Sequence, residues 1–442
     1  MGRPGPANLG GIARPPDTLP EVTMTAAPPH RKTAFPWTRG ALAALPALLL
    51  LCLPGPAPAQ GRRSPKKPAP PEWRKPLEVP STEGVHCRTC NGRGWRWCRR
   101  HRRSFLELEA PLRFSSAAFG CRECGGMLRV DCPSCKNPAA EAWLERFGKE
   151  RRAWVKERRV YDKLVKHELL HLASPRFEMI FDIPKLKVGR RVLGRHPLAH
   201  LDLDRLEAFY AKFKRVMSCR DHEFRPPFKI SLWERAKDQN IVGARITGMG
   251  SRGGHGTKLM GIRVAFTVAR GRGTRTDEDL HRCLVHNVAH LLLSNIEPHQ
   301  WIGKLRAGWL DAGVAHYFEF LHDGLCTNFC FTEQNTMVDF KGGKWRSWLR
   351  RKLGGGGGDL PRFAAYYNKL IDELSPLEHA MAFSNVEFLM AEYGGKKMKR
   401  MVREIMRKKP QRKVIEDVYG FSVLEFEEKW RLHVLKTYPL RE

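Results

Sequence analysis

Four short cysteine pairs in residues 86–136 constrain the fold of this chain more than any other feature. In each pair two residues separate the members, a spacing that lets one tight turn direct two side chains at a single metal ion. Four ligands complete one tetrahedral zinc, so four pairs predict two structural zinc sites. A disulfide framework, common in exported proteins, is the alternative. The eight side chains are Cys87, Cys90, Cys98, His101, Cys121, Cys124, Cys132 and Cys135.

The first pair belongs to a longer motif. Residues 87–94 read C-x-x-C-x-G-x-G, and residues 121–126 repeat part of it. This segment resembles the cysteine-rich domain of DnaJ-type chaperones, in which the first pair shares a zinc with the fourth pair and the second with the third. No J-domain accompanies it, so we expect a structural or docking role. The resemblance implies one site of Cys87, Cys90, Cys132 and Cys135, and another of Cys98, His101, Cys121 and Cys124.

Arginines are concentrated in the same segment. Between positions 93 and 103 there are six arginines and no acidic residue, with Trp95 and Trp97 among them. Guanidinium groups beside aromatic rings suit phosphate contacts and base stacking, and the chain has a formal net charge of +32. A nucleic acid or other anionic polymer is therefore a candidate partner, and a solvated basic rim is the alternative. The candidate anion-binding residues are Arg93, Arg96, Arg99, Arg100, Arg102 and Arg103.

Residues 1–59 predict an export signal. Basic residues at 31, 32 and 39 precede an apolar run over 40–53, and the sequence APA at 57–59 supplies small residues for cleavage. The run is shorter than the roughly 20 apolar residues of a membrane span, so a cleaved signal is favoured over an uncleaved anchor. We expect an exported mature protein that begins near Gln60 and has no stable transmembrane span, whether translation starts at Met1 or Met24.

The rest of the chain divides by composition. A basic, proline-rich linker covers residues 60–85, the cysteine-rich module 86–136 and a charged helical connector 137–173. Segment 174–353 mixes strands and helices: residues 177–182, 228–233 and 260–268 read as strands, and an amphipathic helix lies near 203–217. Residues 359–442 read as helical. The predicted fold class is α+β, with a mixed sheet, an active-site helix, an all-helical C-terminal part and a small zinc-binding module before them.

A histidine pair on a predicted helix is the second candidate site. Residues 286–290 read HNVAH, and the helix is expected to begin at a capping pattern formed by Thr276 and Asp279. His286 and His290 therefore lie one turn apart on one face. In the H-E-x-x-H motif of zinc proteases, the glutamate activates a metal-bound water. Asn287 occupies that place here, and an amide cannot accept the proton.

Residues 308–320 carry a related motif. Their sequence, GWLDAGVAHYFEF, resembles the second signature of gluzincin metallopeptidases, W-L-x-E-G-x-A-x-Y, whose glutamate is the third zinc ligand. Ala312 holds that place. The wider pattern over 174–436 resembles the bacterial peptidase MA-like group. A tyrosine that often steadies the oxyanion in that group is absent near residues 380–382.

These replacements predict a catalytically inactive metallopeptidase-like protein that binds a peptide or protein in its cleft. His286 and His290 would be a vestigial metal pair, and a third, catalytic zinc is not expected. Asp311 is adjacent to the ligand position but about 100° away around the helix, which makes it a poor substitute. His316 or Glu319 would rescue a metal site only after rearrangement. An active zinc metallohydrolase with a rebuilt site is the first alternative, and a polyanion-binding protein is the second.

Overall fold

The structure is a computed structural model, and it describes residues 86–100, 114–117, 120–125, 129–135, 137–248, 256–269, 274–329, 340–355 and 360–441. Several predictions from the sequence fall outside these residues. They are the signal region 1–59, the linker 60–85, and the side chains of His101, Arg102 and Arg103.

The described strands form one large sheet and two small ones. The large sheet has the order β2-β4-β5-β8-β10-β9. Strands β5, β8 and β10 are parallel to one another, whereas β2, β4 and β9 pair in antiparallel fashion. The strands are β1 (Trp95–Trp97), β2 (Phe114–Ser115), β3 (Arg129–Asp131), β4 (Leu170–Ala173), β5 (Phe177–Asp182), β6 (Lys185–Val188), β7 (Arg191–Gly194), β8 (Phe228–Trp233), β9 (Gly256–Leu259) and β10 (Val264–Val268).

Helices connect these strands and form the whole C-terminal part. The helices are α1 (Pro138–Val165), α2 (Arg195–Val216), α3 (Ala236–Thr247), α4 (Asp277–Ser294), α5 (Gly308–Asp323), α6 (Trp345–Leu353), α7 (Phe363–Tyr366), α8 (Pro376–Met406), α9 (Gln411–Tyr419) and α10 (Val423–Thr437). Short 3₁₀ turns cover Asp221–Glu223, Ile302–Lys304, Lys341–Gly343 and Ile371–Glu373. The predicted α+β class, with a mixed sheet and a helical C-terminal part, is confirmed.

The strand predictions hold at two of three places. Residues 177–182 and 228–233 form strands with the expected bounds, but the third strand begins at Val264 and not at 260. Residues 260–263 form a turn in which the Arg263 amide donates to the Met260 carbonyl at 3.1 Å. Arg263 has a φ of 57° there, so the chain reverses between β9 and β10 and cannot continue as one strand.

The large sheet separates two cores. On one face, Leu172, Met179 and Ile230 pack in the main core together with residues of α2 and α4. On the opposite face, Trp233 and Val268 pack with Val165 of α1 and Val242 of α3. Period-2 alternation along the strands sends neighbouring side chains to these two cores.

Capping fixes where α4 begins. The Thr276 hydroxyl accepts from the Asp279 amide at 3.1 Å, and the Asp279 carboxylate accepts from the Thr276 amide at 3.3 Å. This reciprocal pair satisfies two amides that lack a partner inside the helix. The predicted capping pattern is therefore confirmed, and it sets the phase that places His286 and His290 on the same face.

Gly313 allows α5 and α8 to approach closely. A Cβ atom at this position would overlap the carbonyl oxygen of Ala382 and contact the side chain of Val386. The glycine of the 308–320 motif thus has a packing reason that is independent of catalysis. Among the described residues, no helix combines the length and apolar character needed to cross a membrane.

We expect Gly313→Ala to lower the free energy of unfolding by about 1–3 kcal/mol, the usual range for an added group in a packed core. Denaturant unfolding measures this change. Gly261→Ala is the matched control, because a Cβ at Gly261 meets no atom within 4 Å. Equal effects of the two substitutions would contradict a close contact between α5 and α8.

Candidate functional sites

The first and fourth cysteine pairs come together in the structure. The sulfur atoms of Cys87, Cys90, Cys132 and Cys135 all lie within 4.8 Å of one another. The Cys87–Cys132 distance is 3.7 Å and the Cys90–Cys135 distance is 3.5 Å. Zinc–sulfur bonds of about 2.3 Å put tetrahedral ligands roughly 3.8 Å apart, whereas a disulfide needs about 2.05 Å. The four thiols therefore fit a zinc ion.

The local backbone brings these thiols together and donates hydrogen bonds to two of them. Strands β1 and β3 pair in antiparallel register, Trp95 opposite Asp131, and this ribbon brings the two turns together. Gly94 has a φ of 74°, and its amide donates to the Cys90 sulfur at 3.2 Å. A hydrogen bond from the Cys90 backbone lowers the pKa of Cys87 to about 6. Both contacts favour the thiolate, the form that binds metal.

The second cysteine group is described in part. Sulfur atoms of Cys98, Cys121 and Cys124 lie within 4.8 Å of one another. Three thiols leave one place in a tetrahedral site, and His101, the predicted fourth ligand, lies outside the described residues. Its role remains a prediction.

The tryptophans near the cysteines are engaged within the protein. Trp95 is 6% exposed and stacks on Trp143 with ring centroids 6.1 Å apart. The guanidinium of Arg129 lies 5.0 Å from the Trp95 ring and 4.7 Å from the Trp97 ring. Burial lowers the pKa of Arg129 to about 10. Trp95 therefore belongs to the core of the module and offers no face for stacking on a base.

The candidate anion-binding arginines differ in their surroundings. Arg93 lies 4.9 Å from the Trp95 ring, and Arg100 is 3.7 Å from the carboxylate of Glu123. Arg96 is half-buried, whereas Arg99 and Arg100 are exposed. Arg129 was not identified from the sequence, because it lies 26 residues or more from the six candidate arginines and reaches the tryptophans through the β1–β3 ribbon.

The histidine pair lies inside the main domain. The Nε2 atoms of His286 and His290 are 3.3 Å apart. On the other side of each ring, Nδ1 donates to a carboxylate: His286 to Glu319 at 3.0 Å and His290 to Asp311 at 2.8 Å. Carboxylates in these places fix the tautomers, so both Nε2 lone pairs point at each other. Zinc–nitrogen bonds of about 2.05 Å place two ligands roughly 3.3 Å apart, and the pair fits half of a zinc site.

Glu319 is surrounded by donors. Its Oε2 atom accepts from Nδ1 of His286 and Nδ1 of His316, both at 3.0 Å. Its Oε1 atom accepts from the amides of Thr327 at 2.6 Å and Asn328 at 3.1 Å. Burial alone would raise the pKa of Glu319, but the two histidine hydrogen bonds hold it well below its usual range. The hydrogen bonds therefore favour the charged form of the carboxylate.

The cluster extends beyond the residues that the sequence indicated. Nε2 of His316 lies 3.0 Å from Nδ1 of His379 on α8, and the Trp301 indole donates to Asp311 at 2.6 Å. Burial raises the pKa of Asp311 to about 7. The helical phase predicts that Asp311 is a poor ligand, and the structure places its carboxylate beside His290 on the Nδ1 side of the ring. His379, Trp301 and Lys258 were not identified from the sequence.

The two replaced positions offer no catalytic group. The Asn287 amide donates to the Cys283 sulfur at 3.3 Å, and its oxygen accepts from the Lys258 ammonium at 3.4 Å. Ala312 is fully buried in the main core. His286 and His290 are 1% and 0% exposed. The pair therefore lies behind other side chains, and the described residues leave it no direct access to solvent.

No family model matches this chain, and no curated protein sequence matches it. Two solved structures that resemble it are an M1 zinc metallopeptidase from Deinococcus radiodurans and a glutamate-to-alanine mutant of that enzyme. The identities are 13% and 12%, each match covers 61% of this chain, and the TM-score is 0.28 for both. This chain spans about half (51%) of those chains. At these values neither likeness carries an argument about activity.

We expect Cys90→Ser to lower the zinc content of the purified protein by one ion per chain, from two to one, because serine does not provide a thiolate. Small modules draw folding energy from their metal, so amide hydrogen exchange in residues 86–97 should accelerate while that of α4 and α5 stays unchanged. Elemental analysis and hydrogen-exchange mass spectrometry measure the two effects.

The control for this substitution is Cys219→Ser. Cys219 is also buried, but its sulfur contacts the Met217 carbonyl and lies in neither cysteine group. Zinc content that falls equally in both variants, or in neither, would contradict the first site.

Proposed function

We propose that this protein is an exported, metallopeptidase-like binding protein that holds a peptide without hydrolysing it, and that its zinc is structural. One observation carries the proposal. The carboxylates that contact the histidine pair lie on the Nδ1 side of the rings, away from the Nε2 atoms that would bind zinc. Glu319 and Asp311, the carboxylates that contact the pair in the described residues, both accept from Nδ1 atoms. Neither extends the half-site formed by the Nε2 atoms.

Hydrolysis by zinc requires three protein ligands, an open coordination position and a base within reach of the bound water. Ala312 has no donor atom at the third-ligand position, and Asn287 is an amide at the base position. A zinc ion held by two histidines has only two of its four ligands from the protein and would be lost on dialysis. Retaining the helices without these groups is consistent with binding and not with catalysis.

Strand β9 is the proposed place for the peptide. It ends the order of the large sheet, antiparallel to β10, so one of its edges has no neighbouring strand among the described ones. Lys258 on this strand contacts Asn287 on α4, which places the edge beside the histidine helix. An extended peptide can add to such an edge through backbone hydrogen bonds.

A rebuilt metal site is the second candidate, and one observation favours it. His286, His316 and Glu319 place ligand atoms within 4.8 Å of one another. However, Oε2 of Glu319 already accepts from both Nδ1 atoms. A metal at this place would have to displace two protons and break both hydrogen bonds. An active metallohydrolase would use this set.

We expect the unmodified mature protein to show no chelator-sensitive peptide hydrolysis. Asn287→Glu alone should leave it inactive, because the third ligand is still missing. Asn287→Glu combined with Ala312→Glu should retain a third zinc through dialysis, as measured by elemental analysis. Adding His286→Ala to the double variant is the control and should return the content to two. Hydrolysis by the unmodified protein that a chelator abolishes, and that His316→Ala removes, would establish the rebuilt site instead.

Peptide binding has its own test. In the presence of a mixture of unstructured decapeptides, we expect amide exchange to slow in Gly256–Leu259, because the added strand accepts hydrogen bonds from this edge. Strand β3, which is paired on one side within the zinc module, is the internal control and should exchange unchanged. Protection that is absent from β9, or that spreads equally over both strands, would contradict binding at this edge.

A further inference from the structure

An imidazole and two carboxylates meet at the carboxyl ends of two parallel strands. His167 follows the C-terminus of α1, Asp182 ends β5, and Asp238 lies in the first turn of α3, just after β8. One nitrogen of His167 and one oxygen of each aspartate lie within 4.8 Å of one another. The crevice beyond the carboxyl ends of parallel strands is a common place for ligands. Because the residues come from three separate elements, only the fold brings them together.

A helix end fixes which ring nitrogen of His167 carries a proton. Its Nδ1 atom is 3.1 Å from the carbonyl oxygen of Val165, the last residue of α1, and a carbonyl can only accept. Nδ1 therefore donates, and in the neutral ring Nε2 carries the lone pair. An imidazole whose other nitrogen donates to a carbonyl has the arrangement that metal-binding histidines adopt.

The lone pair of His167 faces another acceptor. Oδ1 of Asp182 is 2.9 Å from Nε2, and two acceptors at that distance repel each other unless a positive charge joins them. A proton, on the ring or on Asp182, would join these two atoms, and so would a metal ion. The second carboxylate favours the metal. Asp238 is within 4.8 Å of both atoms, and a proton joins only two acceptors, whereas an ion coordinates all three.

The spacing and burial of the three groups suit a divalent cation. Metal–ligand bonds of about 2.1 Å place neighbouring ligand atoms roughly 3.0–3.4 Å apart, which agrees with the 2.9 Å between Nε2 and Oδ1 of Asp182. Asp182 and Asp238 are 4% and 3% exposed, and carboxylates are rarely buried without a partner charge. The His167 side chain is 29% exposed, so an ion can enter from this side and water can complete its coordination.

Two arginines limit how tightly an ion is held. Arg235 donates to Oδ2 of Asp238 at 2.6 Å, and Arg195 is 3.8 Å from Oδ1 of Asp182. Their guanidinium groups orient the carboxylates and offset part of the negative charge. The Arg235 side chain is 61% exposed, so water screens its charge. We therefore expect an exchangeable ion that dialysis removes, in contrast to the zinc of the cysteine groups.

We propose that His167, Asp182 and Asp238 bind one exchangeable divalent transition-metal ion. Imidazole nitrogen favours transition metals, and carboxylate oxygens suit manganese, so Mn²⁺ is the ion chosen to probe the site. The bound ion connects the end of α1 and the start of α3 to the end of β5, and thereby holds both covering helices to the sheet. The site shares no residue with the cysteine groups or the histidine cluster, and it does not rest on the proposed function.

Titration of the dialysed full mature protein with Mn²⁺ tests this proposal, with free Mn²⁺ measured by electron paramagnetic resonance. We expect one Mn²⁺ to bind per chain, with half-saturation below about 1 mM, the weak end of oxygen-ligated cation sites. An excess of Mg²⁺ should leave the bound Mn²⁺ in place, whereas Zn²⁺ should displace it, because a nitrogen ligand favours later transition metals.

Two variants localise the ion. Asp238→Asn and His167→Ala should each weaken Mn²⁺ binding by roughly tenfold or more, because each removes a ligand. His433→Ala is the matched control and should bind like the unchanged protein. His433 also pairs with a carboxylate, Glu392 at 3.0 Å, but it belongs to none of the three-residue ligand groups among the described residues.

A measurement on the unchanged protein guards against variants that fail to fold. Fe²⁺ with ascorbate and peroxide cleaves a backbone near the place where the iron binds, and we expect fragments that end near residues 167, 182 and 238. Absence of Mn²⁺ binding, displacement by Mg²⁺ as effective as by Zn²⁺, or equal binding by folded His167→Ala and His433→Ala would each overturn the proposal. So would cleavage that leaves these three segments intact.

Discussion

A buried charge organises the centre of this protein. Glu319 ties three segments together, because its carboxylate accepts from His286 on α4, from His316 on its own helix α5, and from the amides of residues 327 and 328 in the following loop. A carboxylate out of contact with water is tolerated only when hydrogen bonds compensate for its lost hydration. Each donor therefore stabilises the folded state, independently of any catalytic role.

This constraint gives the two histidines of the HNVAH segment a role in folding. Removing His286 would deprive the Glu319 charge of a donor, and removing His290 would leave Asp311 with the Trp301 indole as its remaining described donor. Asn287 occupies the glutamate position of the H-E-x-x-H pattern. Its side chain contacts Cys283 and Lys258 and does not hydrogen-bond to Glu319 or Asp311. The hydrogen bonds to these buried carboxylates therefore account for the two histidines, and their presence does not by itself indicate a metal.

The sequence predicted what is local and missed what is distant. Two strands and the α4 cap were accessible because each depends on alternation or short spacing, whereas the grouping of the first cysteine pair with the fourth was implied by the resemblance to DnaJ-type cysteine-rich domains. The contact between His316 and His379 joins residues 63 positions apart, and Arg129 reaches the tryptophans through strand pairing. Neither contact produces a periodic pattern in the sequence from which it could be predicted. The basic composition also does not show which arginines lie on the surface. Arg151, for example, is 1% exposed and donates to the carbonyl of Ala117 inside the fold.

Electrostatics adds a reason why the histidine pair is a poor metal site. Burial lowers the pKa of His290 well below its usual range, and the positive charge of Lys258 lowers it further, so the ring is neutral and the electrostatic argument lies with Lys258 itself. The same positive charge opposes a cation at the Nε2 atoms, because like charges repel most strongly where water is excluded. A glutamate at position 287 would neutralise this ammonium as well as provide a base. Asn287, a neutral amide whose oxygen accepts from Lys258, provides neither the negative charge nor the base.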